Sequence, residues 1–134
     1  MAELCLLWAW VTCVVGVSAL LHEYGHICTA RAVGWEVVGL RWHWYGVGVV
    51  ADANGRPEQL WKVAAGGPCA TGALTLCCVA ATEFPEPAPL IFGVGSVFNA
   101  VFLVTQLVPI PRSDGGRVLQ GFRQARSDDP VSRS

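Results

Sequence analysis

Charge is scarce in this sequence. Asp, Glu, Lys and Arg supply 14% of its 134 residues, against 53% hydrophobic; an ordinary soluble domain carries about 25% charged residues. A chain this short has a high surface-to-volume ratio and needs more polar surface than that to remain in water. The composition therefore favours a membrane protein, and the length favours one domain. The same shortage excludes a nucleic-acid surface, because basic residues are few and do not alternate with stacking aromatics. There is no CxxC pair. Five of the six cysteines lie inside apolar runs and Cys28 lies just after one. Disulfide scaffolds space their cysteines among polar loops, so these are read instead as small buried apolar residues in a reducing or lipid setting.

Three long apolar runs are present. Leu4–Leu21 is uncharged for 18 residues, which at 1.5 Å per residue is about 27 Å of helix, close to the thickness of a bilayer core. Val63–Thr82 and Leu90–Ile110 are uncharged over comparable lengths. The first run lacks the positive n-region of a signal peptide and is longer than a typical h-region, so it is read as a span. Between the first two runs, residues 35–50 are rich in β-branched and aromatic types with glycine breaks, which predicts a short hairpin closed by Asn54–Gly55. His43 lies in this stretch between Trp42 and Trp44, a patch read as interface anchoring. A final amphipathic helix is expected from Ser113, with Val118, Leu119 and Phe122 on one face. Residues 127–134 have too few apolar side chains to pack and are expected to be disordered.

The expected fold is thus mainly α and integral to the membrane: three transmembrane helices, a hairpin between the first and second, and a C-terminal amphipathic helix, with residues 1–126 as one domain. If all three runs span, the N-terminus and the 83–89 loop share one side, which holds Glu3, Glu83 and Glu86 and no basic residue. All nine Lys and Arg fall on the other side. By the positive-inside rule that side is cytoplasmic. The N-terminus is then outside and the C-terminus inside.

At the end of the first run stands His-Glu-Tyr-Gly-His. His22 and His26 are four residues apart, so on a helix both imidazoles project from one face and can share a metal ion. Glu23 is offset by one position, where a general base can take a proton from water without becoming a ligand. Polar residues merely capping a span would give the same letters, but such groups are costly in lipid unless paired or functional. A zinc hydrolase needs a third protein ligand and an open position. Histidine six residues after His26, as one zinc-protease pattern requires, is absent, since that residue is Ala32. Glu36 and Glu58 are candidates; Asp114 is the better one, because Pro109 and Pro111 break the third helix on the same side of the membrane and Gly115–Gly116 let the chain approach closely. A competing role for Asp114 is to cap the last helix.

HEYGH on a first span, Gly-Gly-Pro at 66–68 opening a second, and PIPRSDGG after a third together resemble the site-2 protease family of intramembrane zinc metalloproteases. The resemblance covers roughly residues 4–120 and corresponds to the bare three-helix core. It implies one zinc per chain held by His22, His26 and Asp114, with Glu23 as catalytic carboxylate. It also implies a transmembrane protein as substrate, cut in or near its span in regulated intramembrane proteolysis, and leaves room for a regulatory membrane partner. Asn99 matches an asparagine on the family's third core helix and is expected to bind substrate backbone, an interhelical hydrogen bond being its competing role. Gln106, Thr71 and Ser113 depart from the family's usual residues without touching the implied ligands or base. A non-catalytic zinc-binding or partner-binding membrane module of the same fold is the alternative; a structural site has no need of Glu23.

Overall fold

The computed structural model describes residues 1–43, 46–111 and 113–127. Four helices and one hairpin follow in the order α1 (Ala2–Ala32), β1 (Glu36–His43), β2 (Gly46–Asp52), a short 3-10 turn (Pro57–Gln59), α2 (Leu60–Ala81), α3 (Ala88–Leu107) and α4 (Asp114–Ser127). The expectations for Trp44, for Arg112 and for residues 128–134 lie outside the described residues. Ser127, assigned above to the tail, still belongs to α4.

Helix α1 contains no proline and opens with Glu3 in its first turn, where a carboxylate complements the positive end of the helix dipole. It does not stop with the uncharged run. Its 31 residues make a rod of about 46 Å, so the HEYGH segment lies well inside the helix. It ends where Gly34 takes φ +83: the N–H of Trp35 returns to the Ala30 carbonyl at 2.9 Å and that of Gly34 to Arg31 at 3.1 Å. This left-handed glycine stop satisfies two of the last carbonyls and turns the chain into the hairpin.

The two strands pair antiparallel from Glu36↔Asp52 to His43↔Gly46, with Val38 bulged between Val37 and Gly39. The turn after β2 is as expected: Asn54 and Gly55 both have positive φ. The Trp35 indole N–H donates to the Arg56 carbonyl at 3.1 Å, fastening the hairpin's base to the start of α2.

Helix α2 is central, packing on α1, α3 and α4. Glycine permits the α1–α2 crossing: a Cβ on Gly25 would meet the Gly66 carbonyl, and one on Gly66 would meet that of Gly25. Close backbone approach of this kind is how helices pack when small residues face each other. Gly93 has open space where a Cβ would stand, so it is not a packing glycine.

Burial is inverted relative to a soluble domain. Among the described residues the buried apolar side chains are few, Ala30, Val63, Ala64 and Pro68, whereas Ser18, His22, His26, Thr71, Asn99 and Asp114 are all buried. Leu4, Leu6, Leu7, Trp8, Leu76 and Leu90 are exposed. Soluble proteins keep their large apolar residues inside and rarely show contiguous apolar surface on this scale. The six cysteines follow the same pattern: they are free, and all but Cys78 are exposed, contrary to the expectation that they are buried. They occupy apolar stretches, but on the outward faces. Helices α1, α2 and α3 are long and apolar enough to cross a membrane.

Candidate metal centre

Three side chains from two ends of the chain meet. His22 and His26 rise from one face of α1, one turn apart, with ring centroids 4.9 Å apart. Asp114 reaches them from the first turn of α4. Its Oδ2 lies 2.9 Å from His22 Nε2 and 3.2 Å from His26 Nε2, and the two Nε2 atoms are 3.2 Å apart. All three residues are buried.

The return of Asp114 is built locally. Pro109 disfavours helical backbone at the residue before it, and Val108 is accordingly extended, with ψ 126. The chain reverses through Pro109–Pro111 and starts α4 pressed against the end of α3. A Cβ on Gly115 would meet the Leu107 carbonyl, and one on Gly116 that of Ile110. Capping falls to Ser113, whose Oγ accepts the Gly116 N–H at 3.1 Å, the N-cap geometry. Asp114 is therefore not the cap that one reading made it, and its carboxylate is free to turn inward. Burial by itself would raise the Asp114 carboxyl; in the metal-free site the hydrogen bonds and charge of the two imidazoles, when protonated, outweigh it and hold the group well below the usual carboxylate range.

Each imidazole is also held from behind. His26 Nδ1 lies 2.7 Å from the Val63 carbonyl. A carbonyl only accepts, so this contact puts a proton on Nδ1 and outweighs the longer 3.4 Å approach of the Gly67 N–H to the same atom. In the neutral ring, Nε2 then presents its lone pair to the centre. His22 Nδ1 lies 2.9 Å from Thr71 Oγ1, and a proton there leaves its Nε2 in the same state. Partners of this kind fix the tautomer and orientation of metal-binding histidines.

Two imidazole lone pairs and a carboxylate oxygen within 3.2 Å of one another repel unless a proton or cation sits among them. Ligand atoms on a tetrahedral zinc, with bonds of about 2.0–2.1 Å, stand about 3.3 Å apart, close to what is observed. The group His22, His26 and Asp114 can therefore hold a metal ion.

Gly67 makes room for this arrangement. A Cβ there would run into His26 Nε2 and lie 2.6 Å from His22 Nε2. Glu23 stands beside the three donors without joining them; its Oε2 accepts the Val49 N–H of β2 at 3.1 Å. The other two candidate carboxylates, Glu36 and Glu58, are exposed and take no part in the cluster. Asn99 is buried on α3, one turn before Phe102, whose ring lies 5.2 Å from that of His22. Its Nδ2 donates to the Gly95 carbonyl at 2.8 Å within its own helix, while Oδ1 has no partner. The interhelical bond considered for it is not formed.

Thr71, the Val63 carbonyl, Gly67 and the hairpin's grip on Glu23 were not assigned functions from the sequence. Gly-Gly-Pro at 66–68 was the available signal, since it marks the stretch of α2 that faces α1. No protein-family model and no curated protein sequence matches the chain.

Proposed function

We propose that this chain is an intramembrane zinc metalloprotease of the site-2 protease type, hydrolysing a peptide bond in or near the span of a membrane protein. The observation that carries the reading is Glu23: a carboxylate beside three converging metal donors, yet not among them, inside a protein whose outward faces are apolar. A site that only binds metal has no use for that group.

Zinc is the ion that best suits two imidazoles and one carboxylate with an open fourth position, and when bound it supplies Lewis acidity, bringing the pKa of water down to about 7. His22, His26 and Asp114 hold the ion. Glu23 removes the proton from the attacking water and later delivers it to the leaving amine. A helical substrate must unwind first, because its carbonyls are committed to its own hydrogen bonds. Strand β2 turns the Val49 N–H toward Glu23, so its outer edge runs beside the centre and can take up an extended segment as an added strand. Asn99, whose buried carboxamide oxygen is unpaired, would accept an N–H that unwinding releases.

Three spans put the N-terminus outside and the hairpin, α4 and the metal centre on the cytoplasmic side, in keeping with the basic residues gathered there. Water then reaches the site from the cytoplasm while the substrate arrives from lipid. The decisive comparison is wild type against Glu23→Gln in purified, detergent-solubilised protein. Equal zinc with cleavage only by wild type supports the proposal. Release of the protein by alkaline carbonate would reject the spanning topology.

A further inference from the structure

Two cavities flank the centre along β2, and they differ in chemistry. One, of about 500 Å³, is apolar: Leu20, Tyr24 and Ile27 of α1 and Leu40 and Val47 of the hairpin line it, with Glu23 at its edge. The other, of about 370 Å³, lies between the hairpin, α2 and α4. His26 forms part of its wall, together with the Gly48–Ala51 stretch of β2, and both Arg41 and Arg117 face into it. Val47 lines the first cavity and Gly48 begins the second, so an extended segment laid along β2 passes from one to the other.

The two arginines have no counter-charge among the described residues. Among the described residues the ion pairs all involve Asp114 with the two histidines, and no carboxylate lies within pairing distance of either guanidinium. Arg117 is three residues after Asp114 on α4, so it projects from the same helix face as the metal ligand. A pair of uncompensated guanidinium groups beside a cation site repels a basic side chain and accepts a carboxylate with charge-assisted hydrogen bonds.

We infer that the protein selects substrates in which an apolar residue is followed, within a few positions across the scissile bond, by an acidic side chain whose carboxylate is held by Arg41 and Arg117. The inference rests on the protease reading and adds a substrate class to it. Most spans end on the cytoplasmic side in Lys or Arg, which this pocket disfavours. A span that ends in Asp or Glu is uncommon, and the pocket separates it from the rest. The guanidinium fork also fits a phosphate, but this pocket opens beside His26 and the strand edge, where a substrate chain has to pass.

The test uses C-terminally amidated peptides, each an apolar span followed by Glu, Gln or Lys, presented to the full chain in nanodiscs of zwitterionic lipid. Binding is measured with the zinc-loaded Glu23→Gln protein and cleavage with wild type. The Glu peptide is expected to bind about tenfold more tightly than the Gln peptide, and the Lys peptide more weakly than either. In Arg41→Gln/Arg117→Gln protein that retains its zinc, the Glu–Gln difference shrinks to within about twofold. Equal binding of the three peptides overturns the inference, and needs no arginine variant to do so. So does a preference that survives in the double variant, or one that vanishes when phosphatidylglycerol is added, which would assign the arginines to lipid headgroups. Cleavage by wild type without charge preference leaves the protease reading standing and removes the acidic substrate class. Arginine-dependent binding without cleavage by wild type does the reverse.

Discussion

The Glu23 carboxylate accepts the Val49 backbone N–H at 3.1 Å, so the group proposed as proton carrier is fixed to the strand beside which substrate is proposed to lie. The bond ties the position of the carboxylate to the seating of the hairpin. Glu23→Gln preserves the side chain's length and oxygen acceptor but cannot carry the proton. Like wild type, it is expected to bind one zinc per chain, and it should lose the proposed cleavage by about 10²–10⁴-fold, the usual worth of a positioned general base. Metal analysis paired with a single-turnover assay checks both halves.

Asp114 joins α4 to α1 through both histidines. Asp114→Ala removes one of the three proposed ligands and leaves two imidazoles facing each other, and zinc content is expected to fall from the proposed value of about one per chain to a small fraction of that in protein purified under the same conditions. Near-full zinc in the variant would strike Asp114 from the ligand set.

Thr71 offers a subtler test, because it touches the metal centre only through His22. Thr71→Val keeps the shape and removes the partner of Nδ1. Loss of a partner of this type typically weakens metal affinity by about 10–100-fold, and competition with a chromophoric chelator measures it. The fold should persist, since the two side chains have similar volume. Thr71→Ser, which keeps the hydroxyl, should restore most of the affinity.

The pH dependence separates metal loss from loss of the fold. Imidazoles must be unprotonated to bind metal, and their ordinary pKa is about 6.5. Zinc occupancy is therefore expected to decline as pH falls from about 7 to 5. Asp114 behaves differently: its folded-state pKa lies below the ordinary carboxylate value. A depressed carboxylate contributes stability that is fully present above the unfolded pKa, about 3.9 for Asp, and is lost only as pH drops through the lower folded value. The metal-free protein should keep α4 docked at pH 5, with its thermal midpoint falling only below about pH 4. Parallel zinc and melting profiles would show whether the two transitions are separate.

Ser113 caps α4 and so sets where Asp114 points. Ser113→Ala is expected to cost about 1 kcal/mol and to lower zinc affinity although the residue is not a ligand. Ser113→Asp, another good cap, should recover both, which chelator competition together with thermal denaturation will show.

Much of this architecture could be read along the chain. Three uncharged runs gave three helices, Asn54–Gly55 gave the turn, and the four-residue spacing of His22 and His26 put both rings on one face. Asp114 could be ranked above Glu36 and Glu58 because prolines and glycines flank it, and these control backbone path directly. What escaped were pairings set by where α1 crosses α2. Thr71 is 49 positions from His22, and nothing in its neighbourhood says that it ends beside an imidazole. Gly25 sits inside the metal motif, yet its role at the crossing shows only once Gly66 is opposite it. Ser113 read as a departure from a family pattern, whereas its hydroxyl releases Asp114 from capping. The cysteines show the opposite failure: an apolar setting was taken to mean the protein interior, but in this fold the interior is polar.

That inversion has a consequence for the life of the protein. Among the described residues the buried apolar side chains are few, Ala30, Val63, Ala64 and Pro68, and α4 is joined to α1 through Asp114 and the two histidines. An ion bound at that junction would add its binding free energy to the stability of the folded bundle. Under zinc starvation, membrane quality control would meet a folded but less stable bundle, and degradation would remove the protein along with its proposed activity. Turnover of the polypeptide would then rise as supply of the ion falls, and the cell would need no separate switch to retire a chain it cannot load.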